Sequence, residues 1–113
     1  MAVLIVEDDD RVAALIGRLL LEEGYTTDAV GRATEATSLA FASRYRLIIL
    51  DWNLPDVDGL SLLRSWRARG LSTPVLMISR ATDYLAKPFL LSFMLSTIER
   101  LVRPPSPRTG TGT

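Results

Sequence analysis

The sequence predicts an α/β protein with a doubly wound parallel sheet. Three short runs of apolar residues occur without alternation, at Ala2–Val6, 47–50 and Val75–Ile78. Such runs are typical of strands that are buried on both faces of a parallel sheet. Segments with apolar residues at three- and four-residue spacing separate them, so strands and helices alternate along the chain. This alternation predicts right-handed crossovers with helices on both faces of the sheet.

The first helix follows the first strand directly. Asp9 or Asp10 can cap its start, and Gly24 suits the position just past its end. Residues 25–30 have strand propensity but are short and partly polar, which predicts an edge strand. The inward positions of the first helix are Val12, Ala13, Leu15, Ile16, Leu19 and Leu20.

Two further helices are predicted. Residues 33–43 place Ala36, Leu39 and Ala40 on one face, with Ala33 a further candidate, while Phe41 lies off that face. The third helix begins near residue 60 and is closed by Gly70. Its apolar positions are Leu60, Leu62, Leu63 and Trp66.

Composition narrows the range of possible functions. The 113 residues are 48% hydrophobic, and thirteen basic residues balance thirteen acidic ones. We expect one globular domain over residues 1–103, without a membrane span or secretory signal and located in the cytoplasm. Zero net charge argues against a free-standing nucleic-acid binder. Residues 104–113 are rich in Pro, Gly and Thr and are interpreted as a disordered linker stub.

Carboxylates mark the ends of two apolar strands. Glu7 and Asp8 follow the first, and Asp51 follows the run at 47–50. Taken singly, each of these acids could simply be a helix cap or a turn residue, with no further function. In a parallel sheet, however, ligands bind beyond the carboxyl ends of the strands, so these acids are expected to crowd together and repel. Lys87 or a hard cation such as Mg²⁺ could relieve the repulsion. Ser79 ends a third apolar run and offers a hydroxyl.

Four segments in this order resemble a known family. They are VLIVEDD at 3–9, LIILDWNLPDVDG at 47–59, PVLMIS at 74–79 and DYLAKPF at 83–89. Over residues 2–103 the chain resembles the receiver domain of bacterial two-component response regulators. The resemblance implies a flavodoxin-like sheet of strand order 2-1-3-4-5. The tail resembles the linker to a winged-helix DNA-binding domain, so DNA would be contacted only through that output domain.

The resemblance also implies a function. Asp51 would be the phosphoacceptor, taking a phosphoryl group from a histidine kinase. Glu7, Asp8, Asp51 and the backbone carbonyl of Asn53 would hold Mg²⁺, some of them through water. The chain would then be a signalling domain in transcription regulation and not an enzyme.

Further roles are implied for residues that follow the third apolar run. Lys87 would pair with a phosphoryl oxygen, and Ser79 would hydrogen-bond another. Tyr84 would be the aromatic residue that turns inward when Ser79 moves. The Lys87–Pro88 peptide would be cis, a form that is essentially confined to proline.

The sequence departs from this family between Ser79 and Lys87, which only seven residues separate. A parallel crossover needs a dozen or more residues, so the fourth helix, about fourteen residues, is missing. Three explanations remain open. The segment exists but is absent from the printed sequence, for example because it is disordered; it has been deleted by engineering; or the chain exchanges its C-terminal part with a second copy.

The last predicted helix, at 90–102, is apolar over roughly 200° of its circumference, wider than one core-facing stripe requires. It is either buried more deeply than usual or exposed as a partner surface, and we favour the partner surface. The family resemblance implies a homodimer through the last strand and helix, but without the fourth helix the dimer surface must be different. Whether Phe41, Trp52 and Trp66 add to the exposed apolar surface is not decided by the sequence.

Two other functions are considered. A truncated or engineered receiver could act as a scaffold for dimerisation without switching. A Mg²⁺-dependent phosphohydrolase could use Asp51 as a covalent nucleophile, but it needs a second acid two residues later, where Asn53 stands. The phosphoacceptor domain remains the preferred interpretation.

Overall fold

The fold was analysed in a computed structural model, which describes residues 2–78 together with Ser96 and Arg100. Four strands and three helices alternate in this part of the chain, as predicted. In order they are β1 (Ala2–Val6), α1 (Asp10–Glu22), β2 (Thr26–Val30), α2 (Ala33–Ala42), β3 (Leu47–Asp51), α3 (Gly59–Ala68) and β4 (Val75–Ile78).

The four strands form a parallel sheet in the order β2-β1-β3-β4. This confirms the predicted order for the first four strands. β1 and β3 are central and almost wholly buried, whereas β2 contains only exposed and half-buried residues, as expected at an edge. Val6 is in register with Leu50, so β1 and β3 end side by side.

The core consists of two apolar clusters. One cluster packs α1 against the sheet through Val12, Ile16 and Leu20. The other includes residues of α2 and α3, with Trp66 at its centre. Trp66 is fully buried and its indole Nε1 donates a hydrogen bond to Thr37 Oγ1 at 2.9 Å, which fixes α3 to α2.

Of the aromatic residues left open by the sequence, Phe41 and Trp52 are 40% and 42% exposed. Phe41 lies beneath the Arg69 guanidinium, 4.3 Å from the ring centre. Trp52 directly follows β3 and therefore lies beside the expected site. Of these three aromatic residues, Phe41 and Trp52 therefore add to the apolar surface, whereas Trp66 belongs to the core.

Helix ends follow the sequence signals. The Asp9 side chain accepts hydrogen bonds from the backbone N–H groups of Arg11 and Val12, so Asp9 and not Asp10 caps α1. Gly24 and Gly70 have φ of 93° and 94° after α1 and α3. This left-handed conformation favours glycine and explains why both helices stop there.

Several predictions fall outside the described residues. They concern the fifth strand, the cis Lys87–Pro88 peptide, the positions of Ser79 and Tyr84, and the tail at 104–113. Within the predicted last helix, Ser96 and Arg100 are helical and exposed. No helix among the described residues is long and apolar enough to cross a membrane.

Candidate phosphoacceptor and metal site

The site lies at the carboxyl ends of the two central strands. Glu7 and Asp8 follow β1, and Asp51 is the last residue of β3. Because these strands are neighbours, the three carboxylates meet: one oxygen from each lies within 4.8 Å of the others. The crowding predicted from the sequence is therefore confirmed.

The three acids differ in burial. Glu7 and Asp51 are only 2% and 5% exposed, whereas Asp8 faces solvent. Glu7 Oε2 accepts a hydrogen bond from the Asp9 N–H at 3.0 Å, and Asp51 Oδ1 accepts one from the Asn53 N–H at 3.2 Å. Glu7 Oε1 is buried and has no hydrogen-bond partner in the described part of the chain. One buried carboxylate oxygen of the cluster thus lacks a donor.

Burial and repulsion perturb the titration of both inner acids. Burial is the main cause that raises the pKa of Glu7 to about 7, and the neighbouring Asp51 and Asp8 charges act in the same direction. Burial also raises the pKa of Asp51, against the stabilising hydrogen bond from the Asn53 N–H. Near neutral pH, therefore, the two buried carboxyls favour a shared proton or a cation between them.

The donor set fits a hard divalent cation. Three carboxylates converge from the ends of two neighbouring strands. The buried Glu7 Oε1 lacks a hydrogen-bond donor, and Asp8 is exposed to solvent. Mg²⁺ binds through one or two carboxylates and keeps several waters, which a half-open cluster of this kind allows. Glu7, Asp8 and Asp51 are the described side chains that could hold it.

The loop from β3 to α3 turns tightly beside Asp51. The Gly59 N–H donates to the Trp52 carbonyl at 2.7 Å, and Asn53 forms an isolated antiparallel bridge with Asp58. A Cβ at position 59 would collide with the Asp51 carbonyl oxygen and would lie 3.0 Å from the Trp52 oxygen. Only glycine lets α3 begin this close to the end of β3.

Sequence analysis missed one residue of this loop. Asp56 accepts hydrogen bonds from the backbone N–H groups of Ala33, at 2.9 Å, and Thr34, at 3.3 Å, and so caps α2 from a distant segment. The sequence held only an indirect signal for this contact. Arg32 stands at the N-cap position of α2 and supplies no capping side chain, so the cap must come from elsewhere.

Not every predicted site residue can be placed. Glu7, Asp8 and Asp51 come together, and Asn53 lies next to Asp51 through its backbone N–H. Ser79, Tyr84 and Lys87 lie outside the described residues. The end of β4 nevertheless approaches the site, because the Trp52 N–H donates to the Ile78 carbonyl at 2.8 Å.

The chain is similar to known transcriptional regulators. The chain is 39% identical to the transcriptional regulatory protein PmrA of Pectobacterium parmentieri and 33% identical to the cell cycle transcriptional regulator CtrA of Caulobacter vibrioides. Both alignments cover 91% of this chain but 53% and 51% of the relative, so the chain spans about half the length of these relatives.

The PmrA alignment also bears on the shortened segment. It runs over 117 positions, whereas 91% of the 113-residue chain is about 103 residues. About fourteen positions of the relative therefore have no counterpart in this chain. This number agrees with the shortfall predicted for a crossover helix between Ser79 and Lys87.

Solved structures share the fold. The receiver domain of the Francisella response regulator 1452 has a TM-score of 0.79 at 27% identity and covers 90% of this chain and 96% of its own. The Thermotoga maritima response regulator TrrA, in complex with Mg²⁺-BeF, has a TM-score of 0.77 at 23% identity, with 88% and 97% coverage. Residues 3–99 match the family described as the response regulator receiver domain, and the chain belongs to that family.

Proposed function

We propose that this domain accepts a phosphoryl group on Asp51 from a histidine kinase in the presence of Mg²⁺. The observation that carries the proposal is the cluster of Glu7, Asp8 and Asp51, with its one buried oxygen that lacks a donor. Two solved structures of one relative, the response regulator TrrA, lend support by their descriptions: one is its complex with Mg²⁺-BeF, and the other is its complex with histidine kinase ThkA.

Glu7, Asp8, Asp51 and the backbone carbonyl of Asn53 would hold the metal. When bound, Mg²⁺ supplies positive charge that offsets the carboxylates and the phosphoryl oxygens. Glu7 must be ionised to act as a ligand, and its pKa of about 7 means that metal and proton compete for it. Asp8, which faces solvent, offers its carboxylate on the open side of the cluster.

Asp51 would act as the nucleophile. A carboxylate oxygen of Asp51 attacks phosphorus, the P–N bond of the kinase phosphohistidine breaks, and the electron pair of that bond leaves with the imidazole nitrogen. The Asn53 N–H, which already donates to Asp51 Oδ1 at 3.2 Å, fixes the orientation of the carboxylate. This chain has no histidine of its own, so the donor histidine belongs to the partner.

Three residues outside the described part complete the proposed machinery. Lys87 would pair with one phosphoryl oxygen, and Ser79 would donate a hydrogen bond to another. Tyr84 would turn inward as Ser79 moves. The new charge would thereby shift the population between two conformations and alter a partner surface on the last strand and helix.

The proposed setting is transcription regulation in the cytoplasm. The relatives named above are transcriptional regulators about twice the length of this chain. DNA would be contacted by an output domain and not by the receiver. The receiver itself would be a signalling module rather than an enzyme, acting as a homodimer through its last strand and helix.

A second candidate function, which the comparisons do not favour, starts from the short interval between Ser79 and Lys87. Only seven residues separate them, fewer than a parallel crossover needs, so the chain could serve as a dimerisation scaffold that does not switch. A dimer that exchanges C-terminal segments belongs to the same possibility. A scaffold would form the same dimer with and without Mg²⁺ and a phosphoryl mimic, whereas a switching receiver would change its dimerisation constant.

Labelling with a small phosphodonor tests the first function. The wild type should be labelled only in the presence of Mg²⁺, and Asp51→Asn should not be labelled. Asp58→Asn, which retains a cap for α3, is the matched control and should be labelled like the wild type. Equal labelling of Asp51→Asn and the wild type would refute the assignment of Asp51.

A further inference from the structure

Asp56 connects the loop of the site to a helix on another part of the chain. Its two carboxylate oxygens accept from the N–H groups of Ala33 and Thr34, which lie 23 and 22 residues away in sequence. α1 and α3 are capped by the residues that precede them, Asp9 and Asp58. Only α2, among the described helices, takes its cap from a remote loop.

The loop is tied down on both sides of Asp56. Leu54 and Val57 are half-buried and pack against the apolar cluster that contains Ala33. The base of the loop is closed by the bridge between Asn53 and Asp58. The Asp56 cap is thus the polar contact that fixes the tip of the loop, while Asn53 stands at its base.

We propose that Asp56 is a positioning residue for the metal: by capping α2 from the β3–α3 loop, its carboxylate holds that loop in the arrangement in which the Asn53 backbone meets the ion. The inference rests on the proposed binding of Mg²⁺. The inference adds a free-energy coupling between metal binding and the cap of α2. Each of the two contacts orders the same loop, so when one has formed, the other forms at a smaller entropic cost. The coupling is reciprocal, so metal binding must also strengthen the cap.

Charge and hydrogen bonding can be separated by the choice of variants. Asp56→Ala removes both, whereas Asp56→Asn keeps an oxygen that accepts as a cap. Glu35→Gln removes a neighbouring carboxylate charge in the first turn of α2 without touching the loop. If the cap positions the loop, Asp56→Ala should weaken the site most, Asp56→Asn should weaken it less because one acceptor oxygen remains, and Glu35→Gln should leave it unchanged.

The first measurement is Mg²⁺ titration followed by the fluorescence of the exposed Trp52. We expect Asp56→Ala to raise the Kd about fivefold, the change that corresponds to loss of one helix cap. Asp56→Asn should raise the Kd clearly less, and Glu35→Gln should stay near the wild type. Equal Kd values for Asp56→Ala and the wild type would overturn the inference. So would equal weakening in Asp56→Ala and Asp56→Asn, because that result assigns the effect to charge.

Amide hydrogen exchange supplies a readout that a purely structural cap would not move. In the wild type, Mg²⁺ should slow exchange at the Ala33 and Thr34 amides by about fivefold, and in Asp56→Ala it should not. If the exchange rates of these amides in the wild type are the same with and without Mg²⁺, the coupling is contradicted. If the wild type does not bind Mg²⁺ at all, the proposed function itself fails, which is a distinct outcome.

Discussion

Glu7 is the buried acid whose protonation links the site to stability. Its pKa is raised from 4.5 to about 7, mainly by burial, so the folded chain binds this proton more tightly than the unfolded chain. The resulting stability is complete below pH 4.5 and is lost as the pH rises through 7. The raised pKa of Asp51 acts in the same direction.

We therefore predict that the metal-free protein loses about 1–3 kcal/mol of unfolding free energy between pH 5.5 and 8, relative to Glu7→Gln. Urea unfolding of both proteins across this range measures the difference. The lowered pKa values of Asp9, Asp56 and Asp58 act only at lower pH and are common to both proteins. A difference that does not change with pH would contradict the assigned pKa of Glu7.

Gly59 is the residue on which the contact between β3 and α3 depends. A side chain here would meet the Asp51 and Trp52 backbone, which cannot move without displacing the Asp51 carboxylate. We expect Gly59→Ala to destabilise the domain by about 1–3 kcal/mol. Gly17→Ala in α1 is the control: its Cβ would meet Thr27 Oγ1 at 3.5 Å, an ordinary contact, and alanine favours a helix. Equal losses of unfolding free energy in Gly59→Ala and Gly17→Ala, measured by urea unfolding, would refute the steric explanation.

At the scale of the elements, α3 depends on a local cap. The Asp58 carboxylate accepts from the Ser61 N–H at 3.1 Å and from the Ser61 hydroxyl at 2.8 Å. Asp58→Ala should therefore cost about 1 kcal/mol of unfolding free energy, and Asp58→Asn should cost clearly less. Equilibrium unfolding in urea measures both. Equal losses in the two variants would mean that charge, and not the hydrogen-bonded cap, stabilises α3.

The elements also mark where prediction from sequence succeeds. β1 and β3 were predictable because uninterrupted apolar runs require burial on both faces, and α1 because Asp9 and Gly24 mark its ends. The cap of α2 was not, because Asp56 and Ala33 are distant in sequence and nothing local pairs them. Apolar periodicity placed Trp66 on the apolar face of α3 but did not predict its full burial. That burial depends on Thr37, a residue of another helix that accepts a hydrogen bond from the indole N–H.

For the whole molecule, the intact mass tests the shortened segment first. A mass of 12.5 kDa means that the chain is as short as its sequence. A mass about 1.5 kDa heavier means that a crossover helix is present in the protein. At 12.5 kDa we predict a dimer in sedimentation velocity that persists on dilution, because the last strand and helix then need a second copy. A monomer at every concentration would contradict exchange of segments.

The arrangement of the site was predictable at this scale from topology alone. Two neighbouring parallel strands that both end in acidic residues place those residues at the same edge of the sheet. Glu7 and Asp51 lie together there in the structure. The pKa of Glu7 was not predictable, since it depends on how deeply the side chain is buried. The roles of Ser79, Tyr84 and Lys87 remain predictions from the family resemblance.

The most direct test of the central claim is the intact mass after incubation with a small acyl phosphate. With Mg²⁺ the wild type should gain about 80 Da, one phosphoryl group, and without Mg²⁺ it should gain none. Asp51→Asn should remain unmodified in both conditions. A gain in the wild type that is independent of Mg²⁺, or a gain that survives in Asp51→Asn, would contradict a metal-assisted phosphoacceptor at the carboxylate cluster.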